Sequence, residues 1–195
     1  MARLEKYNKN VYSQFGEDEI IQYLINKLNI NKIGESCEIG MIGTKWSNTF
    51  NLAENYGWNS VFIDKDERHL KNIPRLKNAS IVNVEIQNNL DAILENQNLS
   101  KDFDILSIDT DGMNYYIWDS LKKFRPKIVI IEQDIKSKDK NINSFLSVIK
   151  LSESKDYSFF GKGFVSFFFI SNEVIKATGF NECEAKEFYL QTKII

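Results

Sequence analysis

The sequence predicts a single α/β domain with a mostly parallel sheet and helices on both faces. Two observations predict it: strand-like runs alternate with helix-compatible segments, and the last two runs are joined by a short glycine turn. The 195 residues suffice for one such domain and are too few for two. We therefore expect one domain over 1–195, with an N-terminal helical segment over 1–30 packed on the core and a C-terminal tail over 172–195.

Five runs rich in β-branched and aromatic residues come first. They predict strands over Glu35–Ile39, Asn59–Ile63, Ser80–Val84, Phe103–Ile108 and Lys127–Ile131. Nearly continuous apolar runs are typical of strands buried on both faces of a parallel sheet. The helical segments between them are Thr49–Tyr56, Asp66–Ile73, Leu90–Gln97, Tyr115–Phe124 and Ile142–Leu151. Ahead of the first strand, Glu17–Leu28 places its Ile and Leu side chains on one helical stripe, so it should cover one face of the sheet.

The last two strands are predicted over Tyr157–Gly161 and Phe164–Ser171, and the turn between them predicts an antiparallel hairpin. The sheet should therefore have seven strands. The many phenylalanines of this region offer more apolar surface than one hairpin needs, which leaves two roles open: buried core or the face of a homodimer. The tail is either a helix or an oligomer contact.

Composition excludes several functions. The formal net charge of −2 gives no overall positive field to attract nucleic acid or an anionic membrane. No apolar run approaches the ~20 residues that span a bilayer, and the start lacks the apolar stretch of a secretory signal. Cys37 and Cys183 lack the number and spacing of a disulfide framework or a metal site. A cytoplasmic location is the simplest expectation.

A glycine-containing turn, Glu38-Ile39-Gly40-Met41-Ile42-Gly43, follows the first predicted strand. Parallel sheets bind ligands beyond the carboxyl ends of their strands. There, Gly40 would allow a sharp turn and Gly43 the close approach of a ligand. The glycine spacing matches neither the G-x-G-x-x-G dinucleotide fingerprint nor a P-loop. Because both of those loops bind phosphate groups, their absence favours a cofactor that has no phosphate. A loop that uses glycine only for turning stays open as the alternative.

Asp64 ends the second predicted strand, about twenty residues after Gly43. An acidic residue in this position is placed to accept hydrogen bonds from the ribose hydroxyls of an adenosine cofactor. The alternative is an ordinary helix N-cap, since a helical segment follows. His69 is the only histidine and lies in that charged helical segment, on the far side of Asp64, where we expect a surface role.

Acidic residues also follow the fourth and fifth strands: Asp109 and Asp111 after one, and Glu132 and Asp134 after the other. Carboxylates that converge on one crevice repel each other unless something compensates. Mg²⁺ is one such compensation, since it binds oxygen ligands and lowers the pKa of a bound hydroxyl group. A carboxylate pair sharing a proton as general base is another. In the alternative, Asp109 and Asp111 cap the next helix and Asp134 faces solvent.

Ordered motifs from about Tyr12 to Ile170 resemble the FkbM-like methyltransferases, and the terminal hairpin is similar to that family's closing strands. The matching stretches are Tyr12-Ser13-Gln14-Phe15-Gly16-Glu17-Asp18, Glu38-Ile39-Gly40, Ser47-Asn48-Thr49, Gly57-Trp58 before Val61-Phe62-Ile63-Asp64, Leu106–Gly112 with Tyr115 and Trp118, and Pro126–Glu132. The resemblance implies a Rossmann-like class I methyltransferase fold, with a seven-stranded sheet and a C-terminal antiparallel hairpin.

The resemblance also implies a function, namely S-adenosylmethionine-dependent O-methylation of a sugar, a glycan or a small-molecule hydroxyl. Under it, the methionine part of the cofactor lies along the glycine turn, and the N-terminal motif closes over it. The expected cofactor residues are Ser13, Gln14, Glu38, Gly40, Gly43, Asp64 and Asp109. The expected catalytic or metal-binding residues are Asp109, Asp111 and Glu132.

Two other functions stay open. Asp109-Thr110-Asp111 is formally the D-x-D with which nucleotide-sugar glycosyltransferases hold a metal ion against a diphosphate, although basic residues to clamp a diphosphate are absent nearby. Met41-Ile42-Gly43-Thr44 stands where the FkbM-like family usually has alanine and an acidic-glycine pair. This altered glycine loop and the short chain also suit a catalytically inactive, methyltransferase-like module retained for binding or assembly.

Overall fold

A computed structural model describes residues 11–133 and 145–179. Its strands are β1 (Glu35–Ile39), β2 (Asn59–Asp64), β3 (Ala79–Asn83), β4 (Ile105–Ile108), β5 (Ile128–Glu132), β6 (Tyr157–Lys162) and β7 (Ser166–Ser171). They form one sheet in the order β3-β2-β1-β4-β5-β7-β6. The first five strands pair in parallel, whereas β7 is antiparallel to both β5 and β6. The predicted sheet and its terminal hairpin are confirmed.

Helices cover both faces of the sheet. They are α1 (Glu17–Lys27), α2 (Phe50–Tyr56), α3 (Glu67–Leu70), α4 (Leu90–Glu95), α5 (Asn114–Ser120), α6 (Phe145–Ser154) and α7 (Asn172–Thr178). One core cluster joins the sheet to α4, α5 and α6, and another joins it to α1 and α7. Leu106 and Ile108 face the first cluster and Ile105 the second, so β4 is buried on both faces, as its apolar sequence predicts.

The apolar stripe of α1 lies on the sheet as predicted. Ile20, Ile21, Leu24 and Ile25 are each 5% exposed or less. Burying one such side chain contributes roughly 1.5–3 kcal/mol. The helix thus fastens the N-terminal segment to the core.

Helix α5 ends at Ser120, short of the predicted end at Phe124. The Asp91 carboxylate accepts the backbone N–H groups of Lys122 and Lys123, each at 2.9 Å. Because those N–H groups bond to a side chain from α4, they no longer continue the helix. The helix therefore ends through a contact from another part of the chain.

The hairpin differs from the prediction only in its turn. β6 continues through Lys162, and β7 begins at Ser166 instead of Phe164. Phe164 in the turn is 62% exposed and stacks on Phe15, with 4.7 Å between ring centroids. The other phenylalanines of the two strands are buried: Phe159, Phe160, Phe167, Phe168 and Phe169. Core packing thus accounts for most of this aromatic surface, and the homodimer stays a prediction.

Several expectations lie partly or wholly outside the described residues: the start of the segment over 1–30, the tail beyond Gly179, and Asp134. Within the described ranges, no helix combines the length and the apolar character needed to cross a membrane.

Candidate functional site

The predicted site residues lie at the carboxyl edge of the parallel strands. The chain passes from β1 outward to β2 and β3, then returns to place β4 on the other side of β1. The connections that leave β1 and β4 therefore run in opposite directions, and a crevice opens between them. Gly40 directly follows β1, and Asp109 directly follows β4.

Gly40 packs against the end of β4. Its N–H donates to the carbonyl of Ile63 at 2.9 Å, and the Asp109 N–H donates to the carbonyl of Ile39 at 2.9 Å. Gly40 has φ 89°, and a Cβ here would lie 1.7 Å from the Asp109 carbonyl oxygen. Glycine is thus required both by the positive φ and by the contact between the two strand ends.

The Glu38 side chain is buried beneath the turn and bonds to its own chain. Its carboxylate accepts hydrogen bonds from Ser47 Oγ at 2.7 Å, Asn48 N–H at 2.9 Å, and Thr49 N–H and Oγ1 at 2.9 and 2.7 Å. Asn48 Nδ2 also donates to Ser107 Oγ on β4, at 3.0 Å. Burial raises the pKa of the Glu38 carboxyl, and the hydrogen bonds oppose that shift only in part. Glu38 therefore fixes the start of α2 against β1 and β4.

The loop between Gly40 and Ser47 is tied at two further points. The Gly43 N–H donates to the carbonyl of His69 at 2.9 Å, and the Trp46 N–H donates to the carbonyl of Tyr12 at 2.7 Å. Gly43 and Trp46 both have positive φ, at 66° and 71°. These bonds join the loop to α3 on one side and to the N-terminal segment on the other.

Asp64 lies at the end of β2 with its side chain only 9% exposed. Its Oδ1 accepts the Asp66 N–H at 2.6 Å and lies 3.2 Å from His69 Nδ1. The N-cap of α3 is Asp66, whose carboxylate accepts the Arg68 N–H, so the capping alternative for Asp64 is wrong. His69 is partly exposed, in keeping with the expected surface role, but its imidazole also contacts Asp64 and its carbonyl accepts the Gly43 N–H.

The S-Q-F-G-E-D motif forms a turn that leads into α1. Asp18 Oδ2 accepts the N–H groups of Val11, Tyr12 and Ser13 at 3.0, 2.8 and 2.7 Å, while Ser13 Oγ accepts the Asp18 N–H at 3.2 Å. Ser13 is buried in this turn, whereas Gln14 is exposed. The motif therefore shapes the segment that contacts the loop after β1.

Glu17 joins the first turn of α1 to the start of β7. It is 2% exposed; its Oε2 accepts the Phe15 N–H at 3.0 Å and its Oε1 accepts the Ser166 hydroxyl at 3.3 Å. Burial raises the pKa of this carboxyl above its ordinary value. The group favours its protonated form in the folded protein more than in the unfolded chain.

The ends of β4 and β5 are bridged by an amide. Asn114 Oδ1 accepts Thr110 N–H and Oγ1, each at 2.7 Å, and Asn114 Nδ2 donates to the Glu132 carbonyl at 3.0 Å. Asp109 and Glu132 are half-buried, and Asp111 is exposed. α5 begins at Asn114 without a side-chain cap, so the alternative in which Asp109 and Asp111 cap that helix is wrong.

The predicted metal set of Asp109, Asp111 and Glu132 is not supported. Across residues 11–133 and 145–179, no three His, Cys, Asp or Glu side chains are grouped to hold a metal ion. The contact that joins the two strand ends is instead the Asn114 amide, which bonds to Thr110 and to the Glu132 carbonyl. The described residues thus give no support to a Mg²⁺ site, nor to the metal ion that the glycosyltransferase hypothesis requires.

Sequence reasoning missed Asn114 and the position of His69. An Asn four residues after Thr110 is a local signal for a side-chain-to-backbone bond, but nothing in that spacing shows that the amide reaches β5. The charged neighbours of His69 indicate an exposed helix and give no sign of the contact with Asp64. α3 has only four residues, too few to show a helical periodicity.

Two cavities border the sheet at opposite ends. One, of 290 Å³, lies between the segment after β3 and the first turn of α5, and is lined by Gln87, Asn88, Met113 and Tyr116. The other, of 230 Å³, lies at the amino edge around the end of α5 and the start of β6, with Trp118, Arg125, Lys155 and Tyr157 among its lining residues. Only the first is on the edge that carries Gly40, Asp64 and Asp109.

The strand order, the five parallel strands and the antiparallel hairpin define the Rossmann-like class I methyltransferase fold. A family model described as the methyltransferase FkbM domain matches residues 8–159, and the chain belongs to that family. The protein is an S-adenosylmethionine-dependent methyltransferase, as the sequence resemblance implies.

Two solved structures share the fold. A candidate O-methyltransferase from Klebsiella pneumoniae aligns with a TM-score of 0.52 at 15% identity, covering 77% of this chain and 79% of that one. A spermidine synthase in complex with the transition-state analogue AdoDATO aligns with a TM-score of 0.51 at 13% identity, covering 90% of this chain and 67% of that one. No curated protein sequence matches the chain.

Proposed function

We propose that the chain transfers the methyl group of S-adenosylmethionine to a hydroxyl group of a sugar, a glycan or another small molecule. The reaction would take place in the crevice at the ends of β1, β2 and β4. The observation that carries the proposal is the position of Gly40, Asp64 and Asp109, which end neighbouring parallel strands where the strand order reverses. Membership of the FkbM family supports the same chemistry.

Asp64 is the proposed acceptor of the ribose hydroxyls. Both contacts that the described residues make with its carboxylate, from Asp66 and His69, are to Oδ1. Oδ2 therefore keeps its lone pairs for a ligand. Since the side chain is only 9% exposed, few water molecules compete for those lone pairs, and a hydrogen bond to the ribose would be correspondingly strong.

We propose that the methionine part of S-adenosylmethionine lies along the turn from Gly40 to Gly43. Ser13 and Gln14, in the N-terminal segment, would close over it. A Cβ on Gly43 would meet only the His69 carbonyl oxygen, at 3.9 Å, so the backbone here has open space for a ligand. Glu38 contributes from below: because its carboxylate bonds to residues 47–49, it fixes the turn in place.

The 290 Å³ cavity is the proposed adenine site. The apolar side chain of Met113 and the ring of Tyr116 offer flat, largely apolar contacts, and the amides of Gln87 and Asn88 offer both donors and acceptors. A purine needs both kinds of contact. The segment that carries these amides continues from Val84, whose N–H donates to the Asp64 carbonyl at 3.1 Å. Ribose and adenine sites thus follow one another along the edge.

When bound, S-adenosylmethionine supplies an electrophilic methyl group, which bonds to the acceptor oxygen as the sulfonium leaves as the neutral thioether of S-adenosylhomocysteine. Asp109 is the proposed general base that accepts the hydroxyl proton, because it follows β4 directly beside Gly40 and is only half-buried. Asp111 and Glu132 lie further along the same edge, and we assign them to orienting the acceptor through hydrogen bonds.

Transfer of a labelled methyl group tests the proposal. S-adenosylmethionine labelled in its methyl group is incubated with methyl glycosides, phenols and primary amines, and the label should enter sugar hydroxyls. Asp109→Asn should lower kcat about 100-fold or more, since it removes the base. Asp102→Asn, an exposed acid before β4 at the opposite edge, is the matched control. Label in the amines alone, or an Asp109→Asn variant as fast as the wild type, would contradict the proposal.

A further inference from the structure

We infer that Trp46 is the platform on which the sugar ring of the acceptor stacks. The inference rests on the proposed function, since it concerns the acceptor of that methyl transfer. Trp46 lies in the loop between β1 and α2, at the carboxyl edge, and is 47% exposed. The other two tryptophans, Trp58 and Trp118, are each 1% exposed. The chain thus buries two indoles in its core and presents the third beside the crevice.

The backbone of Trp46 is strained. Its φ of 71° lies in the left-handed region, which glycine and asparagine adopt readily and a bulky residue rarely does. Much of the indole faces water, so burial explains only part of its presence in this loop. A bulky residue persists at such a position when its surroundings over-determine it, and such positions concentrate at ligand sites.

Hydrogen bonds hold Trp46 from both sides. Its own N–H donates to the Tyr12 carbonyl at 2.7 Å, and the next residue, Ser47, donates through Oγ to Glu38 at 2.7 Å. Gly43 in the same loop is bonded to the carbonyl of His69. The backbone that carries the indole is therefore held relative to the strand ends where the cofactor is proposed to bind, which suits a residue that positions an acceptor.

The groups around the indole favour a sugar over a purely apolar acceptor. Lys45 Nζ lies 5.1 Å from the Trp46 ring centroid, so a charged hydrogen-bond donor lies beside the indole. A pyranose has a face of C–H groups and a rim of hydroxyls. The face can stack on the indole while a hydroxyl accepts a hydrogen bond from the Lys45 ammonium.

Acrylamide quenching of tryptophan fluorescence tests the inference directly, because only Trp46 among the three tryptophans is accessible to the quencher. Methyl glycosides of hexoses and 6-deoxyhexoses are titrated with and without S-adenosylhomocysteine. At least one glycoside should protect Trp46 from quenching and shift its emission to the blue. Protection by phenols and by none of the glycosides would overturn the sugar assignment, and no protection by either would overturn the platform.

Variants separate acceptor binding from folding. Trp46→Gly should raise the KM for a methylated glycoside about tenfold or more, and leave kcat and the S-adenosylhomocysteine Kd within about twofold. Its thermal midpoint should stay within about 3 °C of the wild type, since relief of the left-handed strain offsets the lost contacts. Trp46→Asn, which also suits a positive φ, is the second variant in case the first fails to fold. An unchanged KM in either variant would overturn the inference.

The matched control is Tyr56→Ala. Tyr56 is 46% exposed, almost as much as Trp46, but lies at the other end of α2, toward the amino edge, and its removal should leave the KM unchanged. Calorimetry with S-adenosylhomocysteine distinguishes failure of the Trp46 inference from failure of the proposed methyltransferase function. Cofactor binding without glycoside protection overturns the platform alone. Absence of cofactor binding overturns the proposed function, and the quenching titration without cofactor still decides whether Trp46 binds a sugar.

Discussion

The ends of β1 and of the β4–β5 pair use acidic residues in opposite ways. Glu38 at β1 is buried, and its carboxylate accepts four hydrogen bonds from its own chain. Asp109 and Glu132 are half-buried and Asp111 is exposed, while the backbone between the two strand ends is satisfied by Asn114. Neighbouring N–H and O–H groups converge on Glu38, which therefore supports the loop, whereas an amide joins the two strand ends that carry Asp109 and Glu132.

The contact between the two regions should give the largest effect on stability. Gly40→Ala places a Cβ 1.7 Å from the Asp109 carbonyl oxygen and forces alanine to φ 89°, so we expect a loss of about 4 kcal/mol or more in urea unfolding. Gly57→Ala is the control, because Gly57 also has a positive φ, of 71°, but no atom within 4 Å of its added Cβ. It should lose only about 1–2 kcal/mol. Equal losses would mean that the strand ends are not in contact.

Removal of the buried acid should come next. Glu38→Ala leaves the hydroxyls of Ser47 and Thr49 and the Asn48 N–H without their acceptor, and we expect a loss of about 3 kcal/mol in the free energy of unfolding. Glu35→Ala on the same strand removes a half-buried acid that accepts one short bond, from the Ser100 N–H at 2.9 Å, and should lose about 1 kcal/mol. A Glu38 variant as stable as the Glu35 variant would refute the supporting role.

The amide bridge should matter less than the buried acid. Asn114→Ala unpairs Thr110 and the Glu132 carbonyl, so the expected loss is about 2 kcal/mol by chemical denaturation. Asn96→Ala, which removes an exposed amide bonded to the Ala92 carbonyl, should change stability by about 0.5 kcal/mol or less. Equal stability losses in the two variants would contradict the bridging role of Asn114.

The smallest effect is a pH dependence. Burial raises the pKa of Glu17, so its contribution to stability relative to Glu17→Gln is complete below the unfolded pKa, about 4.3, and is lost as the pH rises through the folded pKa. Tm of the wild type minus Tm of Glu17→Gln should therefore fall with rising pH. Glu95 is the opposite case: its hydrogen bond with Lys123 lowers its pKa, so the matching difference for Glu95→Gln should fall as the pH drops. Parallel trends in the two variants would contradict the assignment.

The features that the sequence predicts correctly are those that depend on residues close together in the chain. The apolar runs of β4 and β5, the stripe of α1 and the spacing from the glycine turn to Asp64 each depend on residues close in the chain, and each lies where it is predicted. The early end of α5 and the bridge between β4 and β5 depend on bonds between distant residues: Asp91 to Lys122, 31 positions apart, and Asn114 to Glu132, 18 positions apart. No periodicity records such bonds, and the metal ion that the acidic residues at the strand ends suggested finds no support among the described residues.

Calorimetric titration with S-adenosylmethionine tests the central claim, that the crevice at the ends of β1 and β2 binds the cofactor through Asp64. The wild type should bind, and Asp64→Ala should bind about 10- to 100-fold more weakly, because hydrogen bonds to a charged acceptor are lost. Glu85→Ala removes an exposed acid just beyond β3 and should stay within about twofold of the wild type. No binding by the wild type, or an Asp64→Ala variant that binds as tightly, would contradict the account.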